Sequence, residues 1–383
     1  MRRLSISTLL LCFLLPSVVS AKADLNNFVV IGDSIAAGYQ SGTISPALQQ
    51  TSFPALIAQQ AGLSFILPSL VSPPPPIPNN LAVPGERVCD TLSYNSVLSN
   101  PVAVLHNVML GSGNTQISLA ESSSPTTLLI EIGANDVILH AVVKQNIVEG
   151  RIAEITQLPV DQVQAGLAQG DPGLLYLAQL ISNFISDDPN LKDIFLTSTA
   201  DFQSCYAQLM QRTSLLPNNS ATIVLNIPDV MGSAYVKLLI SQGILNSYDV
   251  SVMQSRVTEF NNIIASTAKL SNAELLDVFK ITQDIEKSGF VVGGQRLNND
   301  FYCGVTSLDG IHPTNTTSAL LANKVIQLLN SKFAAGIPML SLAQVAAVDP
   351  LINLDLCASS TLPGSGKNKD VQNAINSMIK PAK

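Results

Sequence analysis

The chain has no tryptophan, and phenylalanine and tyrosine bring the aromatic share to only 5% of 383 residues. Sugar polymers are commonly held on flat aromatic faces, and few such platforms are on offer here. Charge is scarce as well, at 12% of residues, with acids outnumbering bases for a formal net charge of −7. Nucleic-acid binding depends on lysine and arginine neutralising phosphates, so a polyanionic partner is not expected. The five cysteines lack the close spacing of a zinc site, and there is neither a His-Glu-x-x-His run nor a glycine-rich phosphate loop. No metal or cofactor is expected. No apolar run is long enough to cross a bilayer.

What is present begins with an export signal over residues 1–23. Arg2 and Arg3 supply the positive start and Leu9 to Leu15 the short apolar stretch. Val19-Ser20-Ala21 or Ala21-Lys22-Ala23 supplies a small-residue cleavage site. Cys12 follows Leu11 instead of a small residue, which argues against a lipidated N-terminus. Cleavage after Ala23 removes Arg2, Arg3 and Lys22 and moves the formal charge from −7 to −10. The expected product is a secreted or periplasmic protein. In an oxidising compartment Cys89, Cys205, Cys303 and Cys357 can form two disulfides, with the pairing left open.

Short apolar runs alternate with longer helical patterns, which implies an α/β fold with a parallel sheet covered on both faces. The expected strands are Phe28 to Ile31, Ser64 to Leu67, Thr127 to Ile132, Thr222 to Ile227 and Glu274 to Val278. Each is compact and apolar, as strands buried on both sides should be. A final helix follows Pro313, with Leu321, Val325, Leu328 and Leu329 on one face and Thr314, Asn315 or Thr316 as its cap. The prolines between Ser72 and Pro78 force an extended loop. Residues 137–196 form a helical insertion with a stripe of Leu174, Leu177, Ile181 and Phe184 or Ile185. It either packs on the body or covers the site as a lid. Residues 334–383 read as an irregular tail.

Chemistry concentrates where these strands end. Gly32-Asp33-Ser34-Ile35 follows the first strand and opens a helix, and Gly133-Ala134-Asn135-Asp136 follows the third expected strand. Gly85 follows the proline loop, and Asp309-Gly310-Ile311-His312-Pro313 precedes the last helix. In an open parallel sheet such positions converge at the carboxyl edge. Serine needs a neighbouring base to become nucleophilic, and that base needs an acid to fix its tautomer. Among three histidines only His312 stands in such company; His106 and His140 read as packed or surface residues. Asp33 and Asp136 read as structural acids that bond local backbone.

In this order, the four blocks resemble the GDSL or SGNH family of serine esterases and lipases, over roughly residues 24–333. Ile35 stands where the family usually has leucine, and the 137–196 insertion exceeds the family's minimum. The resemblance implies a three-layer α/β/α sandwich around a five-stranded, flavodoxin-like parallel sheet. It also implies Ser34 as nucleophile, His312 as general base and then acid, and Asp309 as its orienting partner. The backbone N–H groups of Ser34 and Gly85 and the side-chain amide of Asn135 would form the oxyanion hole. The expected substrate is a small-molecule or lipid ester with an apolar acyl group, met at times on a lipid or membrane surface. A carbohydrate acetyl esterase would use the same site, against which the scarcity of aromatics weighs. A silent binding protein on the same fold would usually have lost one of Ser34, Asp309 and His312.

Overall fold

A computed structural model describes residues 22–71, 76–93 and 101–352. The export segment and most of the proline loop lie outside the described residues. Strand β1 (Phe28–Gly32) runs into the single-turn helix α1 (Ser34–Ala37), followed by α2 (Pro46–Gln50) and α3 (Phe53–Ala61). Helices α4 (Pro101–Leu110) and α5 (Gln116–Ser123) precede β2 (Thr127–Glu131). Helices α6 (Asn135–Thr156), α7 (Val160–Ala168), α8 (Pro172–Asp187) and α9 (Thr199–Ser214) separate it from β3 (Ala221–Leu225). Helices α10 (Ala234–Ser241) and α11 (Ser247–Leu270) lead to β4 (Glu274–Leu276). Helix α12 (Val278–Ser288), the hairpin β5 (Phe290–Val292) and β6 (Gln295–Leu297), then α13 (Asn315–Phe333) and α14 (Leu342–Val348) follow.

The main sheet is parallel throughout, in the order β1-β2-β3-β4. Its strands alternate between two buried faces. Val29, Ile31, Leu128, Ile130 and Val224 join the core under α5, α6, α9 and α11, while Phe28, Val30, Leu129 and Ile223 join the core under α3 and α13. These are the layers of an α/β/α sandwich.

The expected fifth strand does not form. Ser64 to Leu67 is extended but belongs to no sheet, and the position beside β1 is taken by residues 79–83. There Val30 N–H donates to the Asn79 carbonyl, Leu81 N–H to Val30, and Val83 N–H to Gly32, at 2.8, 2.8 and 3.2 Å. The Asn79 side chain accepts from Ile66 N–H at 2.9 Å, so a side chain replaces the ladder that Ser64–Leu67 would need. A four-strand sheet with an irregular edge results.

Part of the segment after α13 packs back on the body, with α14 ordered within it. Asp349 reaches back so that its Oδ2 accepts from Thr316 N–H at 2.7 Å and Thr316 Oγ1 at 2.8 Å, at the start of α13. A carboxylate there satisfies a free N–H and complements the helix dipole. Residues 353–383 lie outside the described residues. Cys89 and Cys205 are disulfide-bonded, which of the open pairings leaves Cys303 with Cys357, and Cys357 lies outside the described residues.

The insertion is anchored by charge as well as by grease. On α8 the buried line is Leu174, Ala178, Ser182 and Ile185, while Phe184 is exposed. Lys144 of α6 donates to both carboxylate oxygens of Asp249 on α11, at 2.7 and 2.6 Å, and to Ser186 Oγ at 2.8 Å. His140 Nε2 meets the same carboxylate at 3.1 Å. All three side chains are fully buried. Removing one member of a buried ion pair leaves the other uncompensated. Asp249→Asn is therefore expected to lower unfolding stability by about 3–5 kcal/mol, measured as a shifted urea midpoint; an unchanged midpoint would show that Lys144 finds water instead.

Candidate active site

Ser34 is the first residue of α1, on the sharp turn after β1. Asp33 N–H donates to the Glu131 carbonyl at 3.1 Å, and the Asp33 side chain caps the helix by accepting from Ile35 N–H at 3.1 Å. The turn passes so close to β2 that a Cβ on Gly32 would stand 2.8 Å from the Glu131 carbonyl oxygen and 2.7 Å from Ala36 Cβ. Only glycine fits there. As the first N–H of a helix, that of Ser34 has no intrahelical partner.

His312 is brought to this turn by two laced loops. Ser41 N–H donates to Ser307 Oγ at 2.9 Å, Leu308 N–H to Ser41 Oγ at 3.2 Å, and Gly42 N–H to Asp309 Oδ2 at 3.2 Å. Thr306 and Pro313 form an antiparallel bridge that closes the Asp309 loop. Within it His312 Nδ1 lies 2.8 Å from Asp309 Oδ2, and His312 Nε2 lies 2.9 Å from Ser34 Oγ. The carboxylate accepts a hydrogen bond from Nδ1–H, which leaves Nε2 as an acceptor for the serine hydroxyl. Burial alone pushes the Asp309 carboxyl up. The His312 ring and the backbone N–H groups of His312 and Ile311 outweigh it and hold this acid well below the ordinary carboxylate range. Tyr39 packs its ring 4.8 Å from the imidazole.

Gly85 and Asn135 stand on the same edge. Gly85 has φ +86°, and a Cβ there would strike Val102 Cγ2 at 2.6 Å, so it is more than a turn glycine. Its N–H, like that of Ser34, has no hydrogen-bond partner among the described residues. Asn135, the first residue of α6, spends one amide hydrogen on the Glu86 carbonyl at 2.9 Å and keeps the other. Together Ser34, Gly85 and Asn135 line one wall of a cavity of about 470 Å³, with His312 on its rim. The remaining lining is mostly apolar: Ile138 and Leu139 from α6, Ile281 and Ile285 from α12, Leu320 and Leu321 from α13. No residue of α7 or α8 lines it. The insertion thus contributes the first turns of α6 as a wall, and its remaining helices pack behind.

Several side chains behave differently from the sequence reading. Asp136 bonds distant backbone, accepting from Val88 N–H at 3.0 Å, and burial pushes its carboxyl up to about 7. Burial also pushes Asp33 up to about 6 and raises its neighbour Glu131 further, the Asp33 charge adding to that rise. His140 and His106 both have acid partners, Asp249 and Glu86, that lie too far along the chain for a local pattern to reveal. Glu86, Gln116, Ser41 and Ser307 support the site without any motif to mark them. The structure brings together every residue the sequence singled out for catalysis.

A serine hydrogen-bonded to an oriented imidazole, facing free N–H donors in an apolar chamber, can attack a carbonyl, and those donors can stabilise the oxyanion that forms. Among solved structures, a lipase/acylhydrolase from Enterococcus faecalis is similar at 14% identity and TM-score 0.37, covering 79% of this chain and 95% of that one. An acetylxylan esterase from Geobacillus stearothermophilus is similar at 12% identity and TM-score 0.40, covering 79% and 92%. An alpha/beta hydrolase from the metagenome of Lake Arreo, Spain, shows 13% identity and TM-score 0.38, covering 80% and 94%. No curated protein matches the sequence. The family model of GDSL-like lipases and acylhydrolases matches residues 28–325, a stretch that includes the Ser34 turn, Gly85, Asn135 and the His312 loop, and the chain belongs to that family.

Proposed function

We propose that this chain is an exported serine esterase that hydrolyses carboxylic esters with an apolar acyl chain. The observation that carries the reading is the hydrogen-bonded series Ser34–His312–Asp309 opening onto an apolar cavity. Ser34 Oγ attacks the ester carbonyl carbon while His312 Nε2 takes the hydroxyl proton. The carbonyl oxygen becomes an oxyanion, met by the N–H groups of Ser34 and Gly85 and the free amide hydrogen of Asn135. His312 then gives its proton to the departing alcohol as the C–O bond breaks, leaving an acyl-serine. Water, deprotonated by the same nitrogen, attacks the acyl carbon, and the proton returns to Ser34 as the acid leaves. Asp309 stays ionised throughout, since its low basicity leaves it no claim on the His312 proton.

The cavity supports an apolar acid portion, because burying methylene groups against Ile138, Leu139, Ile281 and Ile285 is favourable at about 0.8 kcal/mol per CH₂. Export is supported by the Cys89–Cys205 disulfide, a bond of oxidising compartments. Ala23 is buried and its N–H donates to the Phe333 carbonyl at 3.0 Å, which favours signal cleavage after Ala21 over cleavage after Ala23.

A fluorophosphonate probe should label the wild type and leave Ser34→Ala unlabelled; a folded wild type that resists labelling would favour a binding protein instead. Asn135→Ala should lower kcat by about 10²–10³ through loss of one oxyanion donor, read by nitrophenyl ester hydrolysis. With esters graded from acetyl to long acyl, kcat/KM should rise with chain length before levelling. A sharp maximum at acetyl would instead point to carbohydrate deacetylation.

A further inference from the structure

Beside the Gly85 N–H lies a buried pair that the mechanism above leaves idle. Glu86 is 2% exposed, and its hydrogen bonds reach Asn135 directly and the Ser34 turn through Gln116. Its backbone carbonyl accepts from Asn135 Nδ2 at 2.9 Å. Its Oε2 accepts from Gln116 Nε2 at 2.6 Å. That glutamine in turn brackets the residue two before Ser34: Gly32 N–H donates to Gln116 Oε1, and Gln116 Nε2 donates to the Gly32 carbonyl, each at 2.8 Å. The other carboxylate oxygen, Oε1, meets His106 Nδ1, and His106 Nε2 lies 2.9 Å from the Asn114 carbonyl.

Carbonyl and carboxylate oxygens only accept, so His106 Nε2 carries a hydrogen, and a second proton lies between Nδ1 and Oε1. Without that second proton a buried carboxylate would face a bare ring nitrogen. We propose that Glu86, holding one proton with His106, is a positioning residue of the oxyanion hole. It fixes the Gly85 N–H, the Asn135 amide and, through Gln116, the Ser34 turn in the relation needed to meet one carbonyl oxygen. This rests on the esterase reading and adds a residue to it.

The pair holds its proton against alkali. Burial opposes the His106 charge, but the contact with Glu86 and the charges of Glu86 and Asp90 outweigh it and raise this histidine above its ordinary value. Burial raises Glu86 too. Among the described residues Asp90, on the turn after Glu86, is a further charged group facing the pair, and Gln116 and the Asn114 carbonyl are neutral neighbours. A raised folded value means the brace is intact at lower pH and fails as pH rises through that value.

The test compares wild type, Glu86→Gln and Tyr39→Phe in nitrophenyl ester hydrolysis across pH, with Ser34→Ala as blank. In Glu86→Gln, kcat should fall about 10- to 100-fold with KM within about twofold, the mark of a mispositioned transition-state contact. Wild-type kcat should fall on the alkaline side, a limb that Tyr39→Phe keeps and Glu86→Gln loses or shifts to lower pH. An inactive wild type overturns the esterase reading and this proposal together. An active wild type with Glu86→Gln unchanged in kcat overturns the positioning role alone. Should Glu86→Gln not fold, the alkaline limb decides: its persistence in Tyr39→Phe supports the pair, and a flat wild-type profile overturns it.

Discussion

The hydrogen bond between Ser34 and His312 joins residues 278 positions apart, and the geometry of the site depends on it. No secondary structure delivers His312; it sits on an irregular loop ahead of α13. Its position is set by backbone N–H groups of residues 41 and 42 that bond Ser307 and Asp309, and by the Thr306–Pro313 bridge. The sheet presents the serine, and the loops present the base. Loops placed by a rigid scaffold are where binding and chemistry usually gather. Here the scaffold reaches the loop through a small number of N–H···O contacts, two of them half-buried and one exposed.

The acids around the site fall into two groups by environment. Asp309 receives a ring N–H and backbone N–H groups, and these hold it ionised despite burial. Asp33, Asp136 and Glu131 are more deeply buried with fewer donors, and burial pushes all three up. One Asp33 oxygen, Oδ2, is buried and finds no hydrogen-bond partner among the described residues. Like groups set apart by surroundings take different duties. The acid held low faces His312, and in the proposed reaction it would compensate the imidazolium. The raised ones shape turns: Asp33 caps α1 by accepting from Ile35 N–H, and Asp136 accepts from Val88 N–H.

Much of this was legible in the sequence, for identifiable reasons. The runs 28–31, 127–132, 222–227 and 274–278 became β1 to β4 because buried parallel strands leave dense apolar signatures. Ser34, Gly85, Asn135, Asp309 and His312 were found because turn chemistry and reaction chemistry constrain neighbours along the chain. The edge beside β1 was misread because Asn79 and Asn80, polar and preceded by proline, do the work of a strand through side-chain and isolated backbone bonds. Partners of the buried charges were invisible for a different reason. Lys144 and Asp249 are 105 residues apart, His106 and Glu86 20, and no periodicity links them. Pairing of charges in three dimensions leaves no mark on local composition.

The helical insertion shows how these two levels meet. Helix α6 begins at Asn135 with an amide bound to the Glu86 carbonyl and carries Ile138 and Leu139 along the cavity. Its polar face two turns on is tied by Lys144 to Asp249 of α11, behind the sheet. A helix fixed at its start and again along its length cannot swing as a lid hinged at residue 137 would. Beyond Lys144 come the rest of α6, α7 and α8, none of which lines the cavity, and α8 is itself tied to Lys144 through Ser186. The insertion therefore fixes the Asn135 amide and the adjoining apolar wall together, and the cavity lies between α6 and residues of α12 and α13. Rigidity at that wall has a chemical use: an oxyanion donor contributes most when it needs no rearrangement as charge develops.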